Sequence, residues 1–470
     1  MRITFLHIFV LLFSVTVYGQ STCGLSGIPN NSVEVKTNPG FAWLEEDRAH
    51  ITIGSLSGAF GGNSFSLNTS PLHFLTKGTL TPGEQISHSG GNGDKSFMVN
   101  ANIGGPGIVF KYHKFLSFGI STGVRYIANS DGLDSKVLNL LGVGAAGAAM
   151  GQDSLTIRKY SGAAQVFEEI NLTYAGFVMQ NDTRKLIAGG TLKLLNGMGA
   201  AGLNVNQAGF SVRNNDGVAY GVNGSVDVAF SPFANRWLLT SDPFSANANH
   251  ETNFGVGADF GLVYYSNPYR GFRLHKGYKT RLAISITDVG SISYNASSTS
   301  ASYDIAGKNI NYRALSNAPN TTFGNVIFNN YIVDSVATSK GGNRKFSVGL
   351  PTALHIDGDF KLNDFLFLNA NVLVDLRSVQ AHSFSNHYIS TATITPRMNF
   401  GYFTLAVPVS YNILNQFSAG AVVMGGYFYI GSSTMFSNSI LKEKQAFNVF
   451  TGLMWKIKPH KLTEEEMMMM

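Results

Sequence analysis

The sequence predicts an all-β fold: a closed antiparallel transmembrane β-barrel of about 14 strands, give or take about two. Three observations predict it. Charged residues make up 13% of the 470 residues, about half the ~25% usual in soluble domains, while 44% are hydrophobic. Apolar residues alternate with polar or small ones through segments about 9–11 residues long, the length a tilted strand needs to cross a bilayer. No stretch offers the ~18 apolar residues of a spanning helix, and only helices and closed barrels satisfy every backbone N–H and C=O in lipid.

Composition excludes other classes. A disordered chain needs few aromatics and much charge, whereas 34 Phe and 19 Tyr are present here. The single Cys23 rules out a disulfide scaffold. The 52 glycines follow no three-residue period, which excludes collagen. A soluble β-sandwich or solenoid also alternates; strand length, low charge and the lack of a repeat argue against both.

Arg2, the apolar run from Ile3 to Val17 and the small Gly19 form the pattern of a secretory signal peptide over 1–19. Residues 20–45 then read as a pre-barrel segment, 46–458 as the barrel and 459–470 as a disordered tail. Export to the Gram-negative outer membrane removes nucleic acid, ATP and nicotinamide from the expected partners. It leaves membrane lipid, lipopolysaccharide and the barrel-assembly machinery. No cofactor and no metal is expected.

Strands are expected at 117–127, 170–178, 222–230, 254–262, 280–287, 346–360, 366–376, 403–411, 417–423 and 446–457. In 366–376, Leu366, Leu368, Val372 and Val374 oppose Asn369, Asn371 and Asp375. In 346–360, Phe346, Val348, Leu350, Leu354, Ile356 and Phe360 share one face. Tyr264, Tyr265, Tyr411, Tyr427 to Tyr429 and Trp455 gather near strand ends, as an interfacial girdle does. Asn181-Asp182 and Asn363-Asp364 mark tight turns. Longer inserts fall at 70–95, 129–160, 231–252, 296–340 and 377–388, with short helices expected at 133–141 and 323–336.

Asn38-Pro39-Gly40 is similar to the Asn-Pro-Ala signature of the fatty-acid-transporter (FadL-type) barrel superfamily, with Gly40 in place of its Ala. The segments 170–175, 190–197, 257–261, 285–292, 395–397, 405–411 and 429–432 resemble, in that order, an uncharacterised family of Bacteroidota outer-membrane barrels. The resemblance covers roughly residues 35–458. It implies an outer-membrane barrel of unassigned role, with relatives that transport hydrophobic compounds or serve type IX secretion. The expected function is transport or capture of a small hydrophobic ligand through a partly blocked lumen. The alternative is a barrel that docks or anchors secreted or surface proteins. The short pre-barrel segment argues against a full N-terminal hatch.

Arg125, Asp227, Asp259, Arg281, His355, Asp357 and Asp359 fall on polar strand faces and are the candidate selectivity residues. An Arg facing lipid near the midplane costs about 2–4 kcal/mol, so these charges belong in the lumen. His355, Asp357 and Asp359 share a face but sit ~6.6 Å apart along it, too far to converge on a cation without neighbouring strands. Gly142-Gly144-Gly147 and Gly197-Gly199-Gly202 match a dinucleotide spacing outside any βαβ unit; packing of the wall is their expected role. Gly119-Ile120-Ser121-Thr122-Gly123 matches a nucleophile elbow, but within an alternating strand rather than at a strand–helix turn. No acid–base set accompanies it, so an enzyme is not expected. Arg270, Arg273, His275, Lys276, Lys279 and Arg281 form a basic stretch suited to lipid phosphates at a rim. Phe367 and segment 323–331 are expected to block the lumen.

Overall fold

Fourteen staves close the barrel wall. In chain order they are Ala49–Gly62, Asp94–His113, Leu116–Asp134, Tyr160–Gln180, Arg184–Val212, Asn253–Ser266, Thr280–Asn295, Ala353–Lys361, Leu366–Asp375, Thr391–Phe400, Phe403–Ala406 continued by Val409–Asn412, Phe417–Ala419 continued by Ala421–Gly425, Phe428–Ser432 and Ala446–Ile457. First and last pair antiparallel from Ala49↔Ile457 to Gly61↔Ala446, so no edge is left open to lipid. The computed structural model describes residues 34–44, 47–67, 86–88, 94–113, 115–134, 153–157, 159–212, 218–237, 252–267, 278–297, 300–311, 337–342, 344–376, 384–440 and 445–457. The signal segment, the expected helix at 323–336, Gly142 to Gly147, Arg270 to Lys276 and the tail lie outside these residues, as does all of 133–141 beyond Asp134.

The wall obeys the alternation that predicted it. In Asn253–Ser266, Phe254, Val256, Phe260 and Leu262 are exposed outward, while Asp259 and Val263 are buried. Tyr427 and Trp455 stack outside at 4.6 Å. Tyr429, expected in the girdle, instead points inward among Ala406, Val422, Met424, Phe450 and Met454. Gly431 and Gly452 leave the space that the Phe450 and Tyr429 rings occupy.

Three expected strands are broken. Segment 403–411 is interrupted at Val407-Pro408, because proline has no N–H for the ladder. Segment 417–423 is interrupted at Gly420, where the Ser432 and Ser433 backbone presses close. Segment 346–360 splits around Leu350-Pro351-Thr352 into Lys345–Gly349 and Ala353–Lys361, and the halves face opposite ways. Phe346, Val348 and Leu350 are buried among Phe167, Ile292 and Tyr294, whereas Ile356 and Phe360 are exposed outward. The apolar face expected to run the whole segment thus crosses from lumen to lipid at the proline.

Strand also runs into the expected inserts. Residues 129–134 complete the third stave. Ala301–Asn311 pairs with Ala337–Gly342 on one side and Val218–Phe230 on the other, and Val218–Phe230 pairs with 201–212 of the longest stave. This sheet continues the wall at the rim that carries the long inserts. The opposite rim has the tight turns at Asn181-Asp182 and Asn363-Asp364.

Candidate functional site

The lumen is filled from the short-turn rim upward by three layers. The first is the pre-barrel segment, which enters the barrel although it is short. Glu34–Lys36 and Pro39–Ala42 each form a 3-10 turn. Asn38 caps the second, accepting from the Gly40 N–H at 2.9 Å. Its amide nitrogen donates to the carbonyls of Leu262 and Ile284, both at 3.1 Å, tying the segment to two adjacent staves. Gly189 and Gly261 open the seat: a Cβ on Gly189 would meet the Pro39-Gly40 backbone, and one on Gly261 would meet the Asn38 side chain. Gly40 is itself closely packed: a Cβ there would lie 2.8 Å from Val263 Cγ2. Trp43 and Leu44 complete the seal against Val109, Ala175 and Ile187.

The second layer is ionic. Arg125 donates twice to Asp288, at 2.8 and 2.9 Å, and lies 3.5 Å from Glu169. Lys193 reaches Asp288 at 2.6 Å and Asp259 at 2.8 Å. The Asp288 N–H donates to Asp259 at 2.7 Å. Asp288 sits in a bulge, where Thr287 and Asp288 oppose Asp259 alone, with φ of 57°. That left-handed conformation costs a non-glycine residue of order 1 kcal/mol and is held by its surroundings. Thr352 Oγ1 holds it by donating to the Asp288 carbonyl at 2.7 Å. Tyr388 accepts from Arg125 and donates to Asp288; burial pushes its phenol well above the ordinary value, keeping the donor proton in place.

A second ionic group lies toward the plug. Arg281 pairs with Glu34 at 3.2 Å and Asp357 at 3.1 Å, with its guanidinium over the Phe41 ring. Asp359 pairs with Arg397 at 2.9 Å and accepts from Tyr278. Phe367 is interior as expected, beneath the Arg397 guanidinium. The third layer is the apolar cluster around Phe167, Tyr294, Phe346 and Phe384. Blocking therefore comes from 34–44, 346–350 and 384–388; segment 323–331 lies outside the described residues.

Of the seven candidate residues, Arg125 and Asp259 meet in the first ionic group and Arg281, Asp357 and Asp359 in the second. His355 contacts Thr287 at 3.1 Å, so His355, Asp357 and Asp359 each turn to a different partner. Asp227 stands apart, half-buried, near Asn206 at 3.4 Å. Arg281 is buried in the lumen rather than part of a basic rim. Gly197 and Gly202 accommodate the rings of Tyr294 and Phe384, and Gly199 that of Phe233, so this glycine row packs aromatics. Ser121 lies mid-stave opposite Asn171.

Sequence reasoning missed Glu34, Lys36, Glu169, Lys193, Asp288, Tyr388 and Arg397. It also missed an interruption of the wall ladder. Gly105-Pro106 has no ladder partner on the first stave, between Thr52↔Gly107 and Ser55↔Gly104, and forms a bulge against Thr122 on the third. A proline flanked by three glycines inside a strand was the available signal. A cavity of about 140 Å³ reaches from this interruption, past Ser55, Ile120 and Thr122, to Lys36, Arg125, Glu169 and Lys193. Burial holds the Lys36 ammonium below its ordinary pKa.

Closed wall, lipid-facing apolar side chains and occluded interior define a transmembrane β-barrel with an internal pocket. The chain belongs to the family of unknown function DUF5723, whose model matches residues 39–433. Comparison with curated proteins finds no match. Among solved structures it is similar to the toluene transporter TbuX of Ralstonia pickettii, at 12% identity over 95% of this chain and 97% of that one, TM-score 0.42. It is also similar to the toluene transporter TodX of Pseudomonas putida, at 8% identity over 92% and 95%, TM-score 0.41. A FadL homologue of Pseudomonas aeruginosa shares 10% identity over 93% and 96%, TM-score 0.22.

Proposed function

We propose that this chain is an outer-membrane barrel that takes small compounds from the bilayer into its lumen pocket, for transport or capture, through the wall at Gly104–Gly107. The observation that carries the reading is the continuity of the pocket with that interruption. Straight passage along the axis is opposed by the plug, the ionic layer and the aromatic layer. The wall around the interruption exposes Ile103 and Ile120 to lipid, which favours compounds that first partition into the membrane.

The test combines two measurements. Liposomes carrying the barrel swell in small sugars no faster than empty ones. Cells carrying it accumulate a radiolabelled one-ring compound, and the double variant Gly105→Thr/Pro106→Val, which restores a ladder donor, lowers that accumulation to the level of cells without it. Porin-like swelling, or accumulation untouched by the double variant, defeats the proposal. The second reading, docking of secreted or surface proteins, is favoured by the sheet of 218–230, 301–311 and 337–342 that continues the wall at the long-insert rim. A stoichiometric protein partner captured from intact envelopes, lost on deleting 301–342, supports it.

A further inference from the structure

We infer that the segment 384–390 is an acid-closed gate between the pocket and the outer end of the lumen, latched by a doubly protonated His387. This goes beyond wall entry, because it concerns the opposite side of the pocket.

The segment crosses the barrel. It leads into the tenth stave at Thr391, while its residues bind the third and fourth staves, on the far side of a fourteen-stave ring. Phe384 and Ser385 lie alongside Val348 and Gly349. Asn386 accepts from the Gln165 amide at 2.8 Å and donates to Asn129 at 2.8 Å and to the Ala163 carbonyl at 3.0 Å. Consecutive residues of the strap face different spaces. Tyr388 lines the cavity of about 140 Å³ that reaches the wall interruption. Ile389 lines a second cavity, of about 50 Å³, among Phe60, Gln416 and Asn448 toward the long-insert rim. The strap is thus the partition between the two.

Its latch carries a chemical condition. His387 is buried, and both of its ring nitrogens face acceptors. Nε2 lies 2.6 Å from the Asp131 carboxylate and Nδ1 3.0 Å from the Tyr388 carbonyl. A neutral imidazole has one N–H and answers only one of these oxygens; the imidazolium answers both. When the second proton leaves, a ring lone pair faces an oxygen lone pair in a buried place, and that contact turns from favourable to costly. The charged and titratable groups around His387 are Asp131 on the third stave, Tyr160 on the fourth, beside Asp131, and Tyr388 on the strap, which is bound to Arg125 and Asp288. Phenols and guanidinium keep their protons near neutrality and the carboxylates stay ionised. Histidine is the side chain among them whose charge changes between about pH 5 and pH 8.

The test is labelling of a cysteine placed in the pocket. Intact cells carry the barrel with Cys23→Ser and Ser57→Cys, Ser57 being a lining residue of the larger cavity. A charged, membrane-impermeant methanethiosulfonate is added outside. Asp131→Asn is the reference, because its amide donates to the neutral imidazole and keeps the latch made without the second proton. The ratio of rates with and without Asp131→Asn cancels the ionisation of the thiol itself. The expected ratio is near one at about pH 5 and about tenfold at about pH 8, the factor that one good hydrogen bond supplies. His387→Phe, which removes the latch, labels fast at both values, with heat-modifiable electrophoretic mobility showing that the barrel still closes. A ratio independent of pH, or labelling of His387→Phe as slow as that of the parent at the acid value, overturns the inference and leaves wall entry standing.

Discussion

Arg125 and Asp288 face each other in two parallel hydrogen bonds of 2.8 and 2.9 Å, and Asp288 is simultaneously the acceptor for Lys193 at 2.6 Å. One carboxylate thus neutralises two cations from the third and fifth staves, while its own backbone is held in a bulge of the seventh. Removing a partner from a buried ion pair leaves an uncompensated charge and costs about 3–5 kcal/mol, whereas replacing the pair by apolar residues is often neutral. Asp288→Ala is therefore expected to destabilise the barrel by about 3–5 kcal/mol in urea unfolding. Adding Arg125→Leu to Asp288→Leu, which keeps Lys193 paired with Asp259, recovers most of the loss. Additive losses in the double variant would show that the two residues do not act as one unit.

The N-terminal seat depends on two missing side chains. Gly261→Ala meets Asn38, and Gly189→Ala meets the backbone of Pro39 and Gly40. Either substitution is expected to lift the segment out of the lumen, raising single-channel conductance and exposing the segment around Lys36 to trypsin. Gly209→Ala serves as the control, because a Cβ there has open space. Conductance and cleavage unchanged in both seat variants would mean that the segment does not seal the lumen.

Lipid-facing positions give a prediction of opposite kind. Ile284 is exposed outward in the middle of the seventh stave, between the buried Ala283 and Ser285. Ile284→Arg is expected to cost about 2–4 kcal/mol in lipid vesicles and much less in a soluble environment. A loss below about 1 kcal/mol in vesicles would argue that this face does not meet hydrocarbon.

Much of the wall was legible because its signal is local. Phe254, Val256, Phe260 and Leu262 announce an outward face by parity alone, and Asp259 between them must then point inward. Lys193 carried the same signal, a lysine between Leu192 and Leu194, but only its motif was singled out. Asp288 was hidden for a physical reason. Inward residues of its stave are odd-numbered through Thr287, and the bulge opposite Asp259 brings an even-numbered residue to the same side. Pro351 reset parity likewise and reversed the expected facing of Phe346 and Val348. Glu34 and Lys36 lie on no strand, so no alternation could place them; only the fold brings them beside Arg281 and Asn102.

Lys36 gives the pH dependence. Burial holds its ammonium below the ordinary value of 10.5, so the folded state disfavours the charged form relative to the unfolded chain. Below the depressed value both states are protonated and the cost is fully present. As pH rises through the depressed value toward 10.5, the folded state sheds its proton first, the unfolded state binds more protons, and stability increases. Lys36→Met removes the titrating group. The variant is therefore expected to be more stable than wild type at neutral pH in urea unfolding, with an advantage that shrinks steadily toward pH 10.5. An advantage independent of pH would assign the gain to packing alone. A variant less stable at neutral pH would show that the nearby Glu169 carboxylate outweighs burial and holds Lys36 in its charged form.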